Sequence, residues 1–272
     1  MKRFGLIGYP IRHSLSPSLF KAAYSGVYGY DLIENEDFDK AYEIFLEGYE
    51  GVNVTAPFKE KAFIKADSVS EECRIIKATN LLVKTPQGVM AYNSDYLGVR
   101  MWLQGLPLPD NPGQTVMIAG CGGAGKAAAV AAASAGHRVM LLNRDIRKAE
   151  ALADSISQME NAPCVQVRPL DEFGKSFKES DIIIYNIPSA IPQLISLSKD
   201  EIAGAEGKGA KHILEANYMN PSFTGSMLAD MISYNPEIRY TPGRTWLLYQ
   251  AVTGYEIFTG QKPDLALMYG VL

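Results

Sequence analysis

The run Gly120-Cys121-Gly122-Gly123-Ala124-Gly125 constrains the fold more than any other part of this chain. It lies between an apolar stretch, Thr115 to Ala119, and a small-residue helical stretch, Gly125 to Ala135. Glycines in this spacing between a strand and a helix are the mark of a dinucleotide-binding turn. A side chain there would block the tight turn and hold the backbone away from a pyrophosphate, which the free N–H groups at the helix start attract. Arg138 to Leu142 supplies a second strand and closes a βαβ unit of about thirty residues. Gly120, Gly122, Gly123, Ala124 and Gly125 are therefore the predicted cofactor turn. The duller alternative is a glycine-rich turn before an alanine-rich packing helix.

The end of that second strand reads the cofactor. An acid there would accept from the ribose 2′-OH of NAD, whereas a 2′-phosphate calls for a cation. Leu142 is followed by Asn143-Arg144, with Lys148 one helical turn further on. A guanidinium is planar and permanently charged, so Arg144 can pair with a phosphate and stack on adenine. NADP is the predicted cofactor, bound by Asn143, Arg144 and Lys148. Asp145 keeps NAD open, although its ordinary role would be to cap a helix over Ile146 to Ser155.

A chain of 272 residues can bury a large core, and its length suits one large or two modest domains. Two are expected, because Gly105-Leu-Pro-Leu-Pro-Asp-Asn-Pro-Gly113 places three prolines and two glycines where no helix or strand can continue. The expected division is 1–103, 104–238 and a carboxy-terminal helical segment, 239–272, packing back on the first domain. A net charge of −4, with acids and bases interspersed, argues against nucleic-acid or membrane partners and leaves small molecules. Cys73, Cys121 and Cys164 have no metal-site or disulfide spacing, which points to a reducing cytoplasm and no metal. Gly5, Gly8 and Pro10 interrupt the apolar run after Met1-Lys2-Arg3, so it reads as a first strand rather than a leader.

In the first domain, a strand over Arg3 to Gly8 precedes a helix opened by Ser16-Pro17, with Ser16 as its N-cap. Leu19, Phe20, Ala23, Tyr24 and Val27 form its apolar stripe, and Gly29-Tyr30 ends it. A helical pattern runs from Phe38 to Phe45. Val52 and Val54 then alternate with Asn53 and Thr55 in a strand that Pro57 must stop, releasing Thr55 and Lys59 at its tip. Asn80 and Asn93-Ser94-Asp95 follow, with Asp95 or Ser94 as a further N-cap. Later strands are read at Asp181 to Tyr185 and His212 to Glu215, and a last helix at Gly243 to Gly260. His13 reads as a hydrogen-bonding residue of its turn, and His137 and His212 as structural.

Taken in order, these motifs resemble the shikimate dehydrogenase family over nearly the whole chain. They are Gly8-Tyr-Pro-Ile-Arg-His13-Ser14-Leu-Ser16-Pro17, Gly51-Val-Asn-Val-Thr-Ala-Pro-Phe-Lys59, Asn80, Asn93-Ser-Asp95, the Gly120 turn with Asn143-Arg144, and Gln250. The resemblance implies an N-terminal α/β substrate domain, a Rossmann-type doubly wound parallel sheet, and an active site in the cleft between them. It implies NADPH-dependent, reversible reduction of 3-dehydroshikimate to shikimate, in aromatic amino-acid biosynthesis. Lys59 and Asp95 would be its catalytic pair. Ser14, Ser16, Thr55, Asn80, Tyr218 and Gln250 would match substrate-binding positions, and Gly243 a glycine near the nicotinamide. A monomer or homodimer is expected.

The chemistry agrees with that list. Reducing a ketone requires a proton for the developing alkoxide, and an ammonium offers both the proton and positive charge. A small polyhydroxy carboxylate needs the hydroxyls and amides that the remaining residues supply. Taken alone, Lys59-Glu-Lys-Ala-Phe-Ile-Lys65 would read as a solvated helix face. The chain departs from the family at Asn186-Ile-Pro188-Ser-Ala-Ile-Pro192, where Asn-Ala-Thr-Pro-x-Gly-Met is usual, and at Glu215-Ala-Asn-Tyr218 and Trp246. Two rival readings follow: a quinate/shikimate dehydrogenase with NAD or dual cofactor use, and a non-catalytic dinucleotide- or metabolite-binding relative.

Overall fold

The structure is a computed structural model that describes residues 1–108, 113–204 and 210–272. Part of the expected linker, 109–112, lies outside the described residues. The chain forms two compact units, Met1–Gly98 with Leu248–Leu272, and Val99–Leu247. No helix among the described residues is long and apolar enough to cross a membrane.

The first unit contains strands β1 (Arg3–Gly8), β2 (Gly29–Glu34), β3 (Gly51–Val54), β4 (Ser68–Val69), β5 (Leu81–Thr85) and β6 (Gly88–Tyr92). Its helices are α1 (Ser16–Ala23), α2 (Phe38–Gly48), α3 (Lys59–Lys65), α4 (Glu71–Ile76) and the start of α5 (Ser94–Gln104). The sheet order is β2-β1-β3-β5-β6-β4, parallel from β2 to β3 and antiparallel from β3 to β6. Both faces are covered, so β3 is buried throughout rather than on alternate residues. One face packs Ile7, Val52 and Val54 against Phe38, Phe45 and Phe58. Each such side chain, fully buried, contributes roughly 1.5–3 kcal/mol. On a second aromatic cluster, Phe4 stacks on Phe258 with ring centroids 5.0 Å apart, and Phe20 meets Tyr255 edge-on at 4.8 Å.

The helix expected to run to Val27 stops at Ala23, and Val27 is 62% exposed. Ser25 and Gly26 turn the chain through positive φ (49° and 77°), which no helix continues. Gly29-Tyr30 is therefore not a break but the start of β2.

The second unit contains β7 (Thr115–Ala119), β8 (Arg138–Asn143), β9 (Val165–Pro169), β10 (Ile182–Tyr185), β11 (Lys211–Glu215) and β12 (Ile238–Thr241). These strands are all parallel, in the order β12-β11-β10-β7-β8-β9. Counted from β7 as the first strand, this is the doubly wound order whose switch point falls between β7 and β10. Helices α6 (Gly123–Ser134), α7 (Ile146–Ser157), α8 (Phe173–Glu179), α9 (Pro192–Ile195), α10 (Lys199–Ala203) and α11 (Gly225–Tyr234) accompany the strands. Helix α12 (Gly243–Thr259) returns the chain to the first unit, where α13 (Leu265–Tyr269) follows.

The units thus divide at 98/99 and 247/248, not at the expected 103/104 and 238/239. Strand β12 pairs with β11 and so belongs to the second sheet, and both divisions fall inside helices, which composition does not mark.

Two buried charges in β11 are satisfied. Lys211, 1% exposed, donates to the carbonyls of Phe177, Lys178 and Ser180 at the end of α8. Glu215, fully buried, accepts from the Ser222 N–H at 2.5 Å and the Tyr240 hydroxyl at 2.7 Å.

Burial holds His137 and His212 below the ordinary imidazole value of 6.5; Asp181 opposes the shift at His137, and Arg239 reinforces it at His212. The unfolded chain takes up protons near that value while the native state stays neutral. The stability that this contributes is complete above about pH 6.5 and falls as pH drops through it. We expect Tm to fall by on the order of a few degrees between about pH 7.5 and 5.5. The slope should flatten in the double variant His137→Gln/His212→Gln, and an unchanged slope would mean that other groups govern it.

Candidate active site

The first unit's site grows from the adjacent ends of β1 and β3, where Ile7 pairs with Val54 and the Thr55 N–H donates to the Ile7 carbonyl at 2.9 Å. A Cβ at Gly8 would collide with the Thr55 methyl, so only glycine admits Thr55 at this strand end. Lys59 is the first residue of α3, and its carbonyl accepts from the Thr79 N–H at 3.0 Å. Its Nζ donates to Asp95 Oδ2 at 2.5 Å, with the side chains 24% and 15% exposed. Lys61 and Lys65 on the same helix are exposed, so the solvated-face reading holds for them and not for Lys59.

Asp95 stands in the first turn of α5 without capping it. Asn93 caps instead, accepting the Tyr96 N–H at 3.1 Å. That corrects the expectation that Asp95 or Ser94 would do so and leaves the Asp95 carboxylate for Lys59. Asn80, 4% exposed, accepts the Ser94 N–H on its Oδ1 at 2.7 Å, while its carbonyl accepts from Val54 N. Gln250, on α12, accepts on Oε1 from the Ser94 hydroxyl at 2.9 Å.

Ser14 and Ser16 share a hydrogen bond of 3.1 Å between their hydroxyls. Ser16 begins α1 without capping it: Leu15 occupies the cap, and the Ser16 N–H donates back to Ser14 Oγ. Pro17 explains the start, since its fixed φ suits a first turn. The Tyr255 hydroxyl from α12 donates to the Ser16 carbonyl at 3.2 Å. His13 is exposed, and its side chain bonds to none of the described residues, contrary to its expected role in the turn.

The structure adds residues that sequence reasoning did not single out. The Tyr30 hydroxyl donates to Asn53 Oδ1 at 2.8 Å, and Asn53 Nδ2 reaches the Asn80 carbonyl at 3.4 Å. Burial raises the Tyr30 and Tyr255 hydroxyl pKa values, so both remain neutral donors. These partners are brought together by sheet pairing and carry no local signal.

In the second unit, the glycine turn follows β7 at the switch point. Gly120 has φ +92°, a left-handed conformation that favours glycine, and its N–H donates to the Leu142 carbonyl at 2.8 Å. A Cβ at Gly125 would collide with the Gly120 carbonyl oxygen, whereas one at Gly122 would meet nothing within 4 Å. One glycine thus lets the helix close on the turn, and another leaves the backbone approachable. That pattern fits a pyrophosphate at the start of α6, whose first residues are Gly123 and Ala124. Burial pushes the neighbouring Cys121 thiol up to about 12, so no thiolate stands beside an anion.

Asn143 braces this loop through both ends of its amide, accepting from Cys121 N at 3.4 Å and donating to the Asp145 carbonyl at 2.8 Å. Arg144 and Lys148 are exposed. Asp145 caps α7 by accepting the Arg147 N–H at 3.2 Å, and the Arg147 Nε lies 3.5 Å from the same oxygen. The divergent segment beginning at Asn186 leaves β10 opposite the turn, and a Cβ on Gly120 would meet Ile187 Cγ1 at 3.1 Å. Tyr218 follows β11, half-buried. Gly243 starts α12, where a Cβ would lie 2.8–2.9 Å from backbone atoms of Glu215, Ala216 and Asn217, so packing alone demands glycine there.

A lysine–carboxylate pair set among hydroxyls and amides, on a chain that also carries a doubly wound unit with a dinucleotide turn, defines an α/β nucleotide-dependent oxidoreductase. Family models match it in both units: residues 6–82 the shikimate dehydrogenase substrate binding domain, and 107–212 shikimate / quinate 5-dehydrogenase. The chain belongs to the shikimate dehydrogenase family. A shikimate dehydrogenase (NADP(+)) from Acinetobacter baumannii is 32% identical over 97% of this chain and 98% of its own length. A shikimate 5-dehydrogenase structure from Mycobacterium fortuitum matches at 26% identity and TM-score 0.82, covering 100% of this chain and 97% of that one. A shikimate dehydrogenase crystallised with NADP+ matches at 26% identity and TM-score 0.80, over 100% of this chain and 94% of that one.

Proposed function

We propose that this chain catalyses the reversible, NADPH-dependent reduction of 3-dehydroshikimate to shikimate. The observation that carries this reading is the 2.5 Å contact between Lys59 and Asp95 beside Asn80 and Ser94, on a chain of this family. When bound, NADPH supplies the hydride. Lys59 holds a proton and a positive charge at the substrate carbonyl oxygen, where alkoxide character develops. Asp95 keeps the ammonium in place through the 2.5 Å contact. Ser14, Ser16, Thr55, Asn80 and Gln250 hold the hydroxyls and carboxylate of the substrate. Three free cysteines suit a reducing compartment, in keeping with a cytoplasmic enzyme.

Steady-state assays of shikimate and quinate against NADP+ and NAD+ test the assignment. The highest kcat/KM is expected for shikimate with NADP+, and absence of turnover despite NADP+ binding would remove it.

Cofactor preference rests on Arg144 and Lys148, with Asp145 turned to its own helix by capping and by Arg147. Arg144→Ala should raise the KM for NADP+ by roughly 10- to 100-fold, the worth of a charge-assisted hydrogen bond, and that for NAD+ far less. Equal changes for both cofactors would show that Arg144 does not read the 2′-phosphate.

A further inference from the structure

We propose that Ser94 is a positioning residue that sets the polarity of Asn80 and Gln250, so that both amides offer N–H donors to the substrate. The inference rests on the shikimate dehydrogenase reading above. Ser94 is fully buried, and its two hydrogen bonds go to the two amides: its N–H to Asn80 Oδ1 at 2.7 Å, and its hydroxyl to Gln250 Oε1 at 2.9 Å. A carboxamide has one accepting and one donating end, so occupying the oxygen turns the NH2 outward. Neither Asn80 Nδ2 nor Gln250 Nε2 bonds to any of the described residues.

The two bonds differ in what they depend on. A backbone N–H can only donate, so the orientation of Asn80 survives any side chain at 94. Gln250 depends on the hydroxyl. Its backbone is held independently, because α12 lies against α5 at two glycines. A Cβ on Gly98 would lie 2.7 Å from the Gln250 nitrogen, and one on Gly254 would lie 3.2 Å from Ser94 Cβ. With the backbone fixed, rotation of the carboxamide is the freedom left, and donation from the Ser94 hydroxyl holds the orientation with Oε1 inward. The substrate must then present oxygen lone pairs to both amides and direct its own O–H groups elsewhere. Asp95, next to Ser94, is an acceptor within the site, as are the Ser14, Ser16 and Thr55 hydroxyl oxygens. A ring bearing adjacent oxygens, each accepting on one side and donating on the other, meets that demand, and an apolar or acceptor-poor ring does not.

The test compares wild type, Ser94→Ala, Ser94→Thr, Gln250→Ala and the double variant Ser94→Ala/Gln250→Ala. Ser94→Ala should raise the KM for shikimate roughly 10-fold, the scale of one lost hydrogen bond, with a smaller change in kcat. The dissociation constant for NADP+, read by fluorescence titration, should not move. Ser94→Thr keeps the hydroxyl and should recover the KM. In the double variant, losing the serine should add nothing to the effect of Gln250→Ala, because the two act as one unit. Additive losses, or failure of threonine to rescue, would overturn the inference while wild-type turnover leaves the dehydrogenase reading standing. Absence of wild-type turnover overturns both.

Discussion

Lys59→Met is expected to lower kcat for shikimate oxidation by about 10² to 10⁴, the range for loss of a positioned acid or base, while shikimate still binds. Methionine keeps much of the length of the side chain and removes the ammonium, so the change falls on charge and proton transfer rather than on packing. Lys59 is well placed for the comparison. Its backbone is fixed by the start of α3 and by the Thr79 N–H, and its side chain is partly exposed, so its loss should leave the fold intact. Asp95→Asn should cost a similar order, and the double variant little more than either single one, as for groups that work as a unit. Steady-state kcat with equilibrium binding of shikimate measures this. A Lys59→Met enzyme with near wild-type kcat would remove Lys59 from the reaction.

The second large effect is expected at Gly125. In Gly125→Ala the new methyl meets the Gly120 carbonyl oxygen, and that carbonyl belongs to a turn tied to β8 by the Gly120–Leu142 hydrogen bond. Backbone cannot move aside as a side chain can, so the start of α6 must shift. Overpacking of this kind costs about 1–3 kcal/mol, a fall in Tm of roughly 2–12 °C for a unit of this size. NADP+ binding should weaken by at least about 10-fold, the equivalent of one well-placed hydrogen bond to a charged phosphate. Gly122→Ala separates fold from cofactor, since its methyl faces open space in the chain itself and φ there is −76°. It should melt like wild type yet bind NADP+ more weakly. Wild-type affinity in Gly122→Ala would mean that the pyrophosphate does not approach this turn.

What could be read from the sequence was local. Pro57 marks the end of β3 within three residues, and the glycine turn, its flanking strands and the Asp145 cap all show themselves within short windows. Lys59 and Asp95 are named as a pair only through the resemblance to the family, since taken alone the charges from Lys59 to Lys65 read as a solvated helix face. The interior of the first unit was less legible. Strand β2 carries a turn-like Gly29-Tyr30 start, because its stability comes from pairing with β1, more than twenty residues earlier in the chain, rather than from its own composition. The cap of α5 fell to Asn93 rather than Ser94 or Asp95, since three adjacent residues could all cap and only tertiary partners decide among them. The bonds joining Ser94 to Asn80 and Gln250, and Tyr30 to Asn53, connect residues with no fixed spacing and left no trace in any short window.

The crossing of α5 and α12 at Gly98 and Gly254 also bears on how the protein is made. Gln250, Tyr255 and Phe258 reach the first unit from the carboxy-terminal end of the chain. A nascent polypeptide leaving the ribosome can therefore complete its second unit while the first still lacks a helix. Until the segment from Leu248 onward is translated, Ser94 has no glutamine to hold and the Phe4 ring no Phe258 to stack on. Completion of the first unit thus waits on the segment from Leu248 onward, and a premature stop before Leu248 would leave that unit without the partners of Ser94 and Phe4.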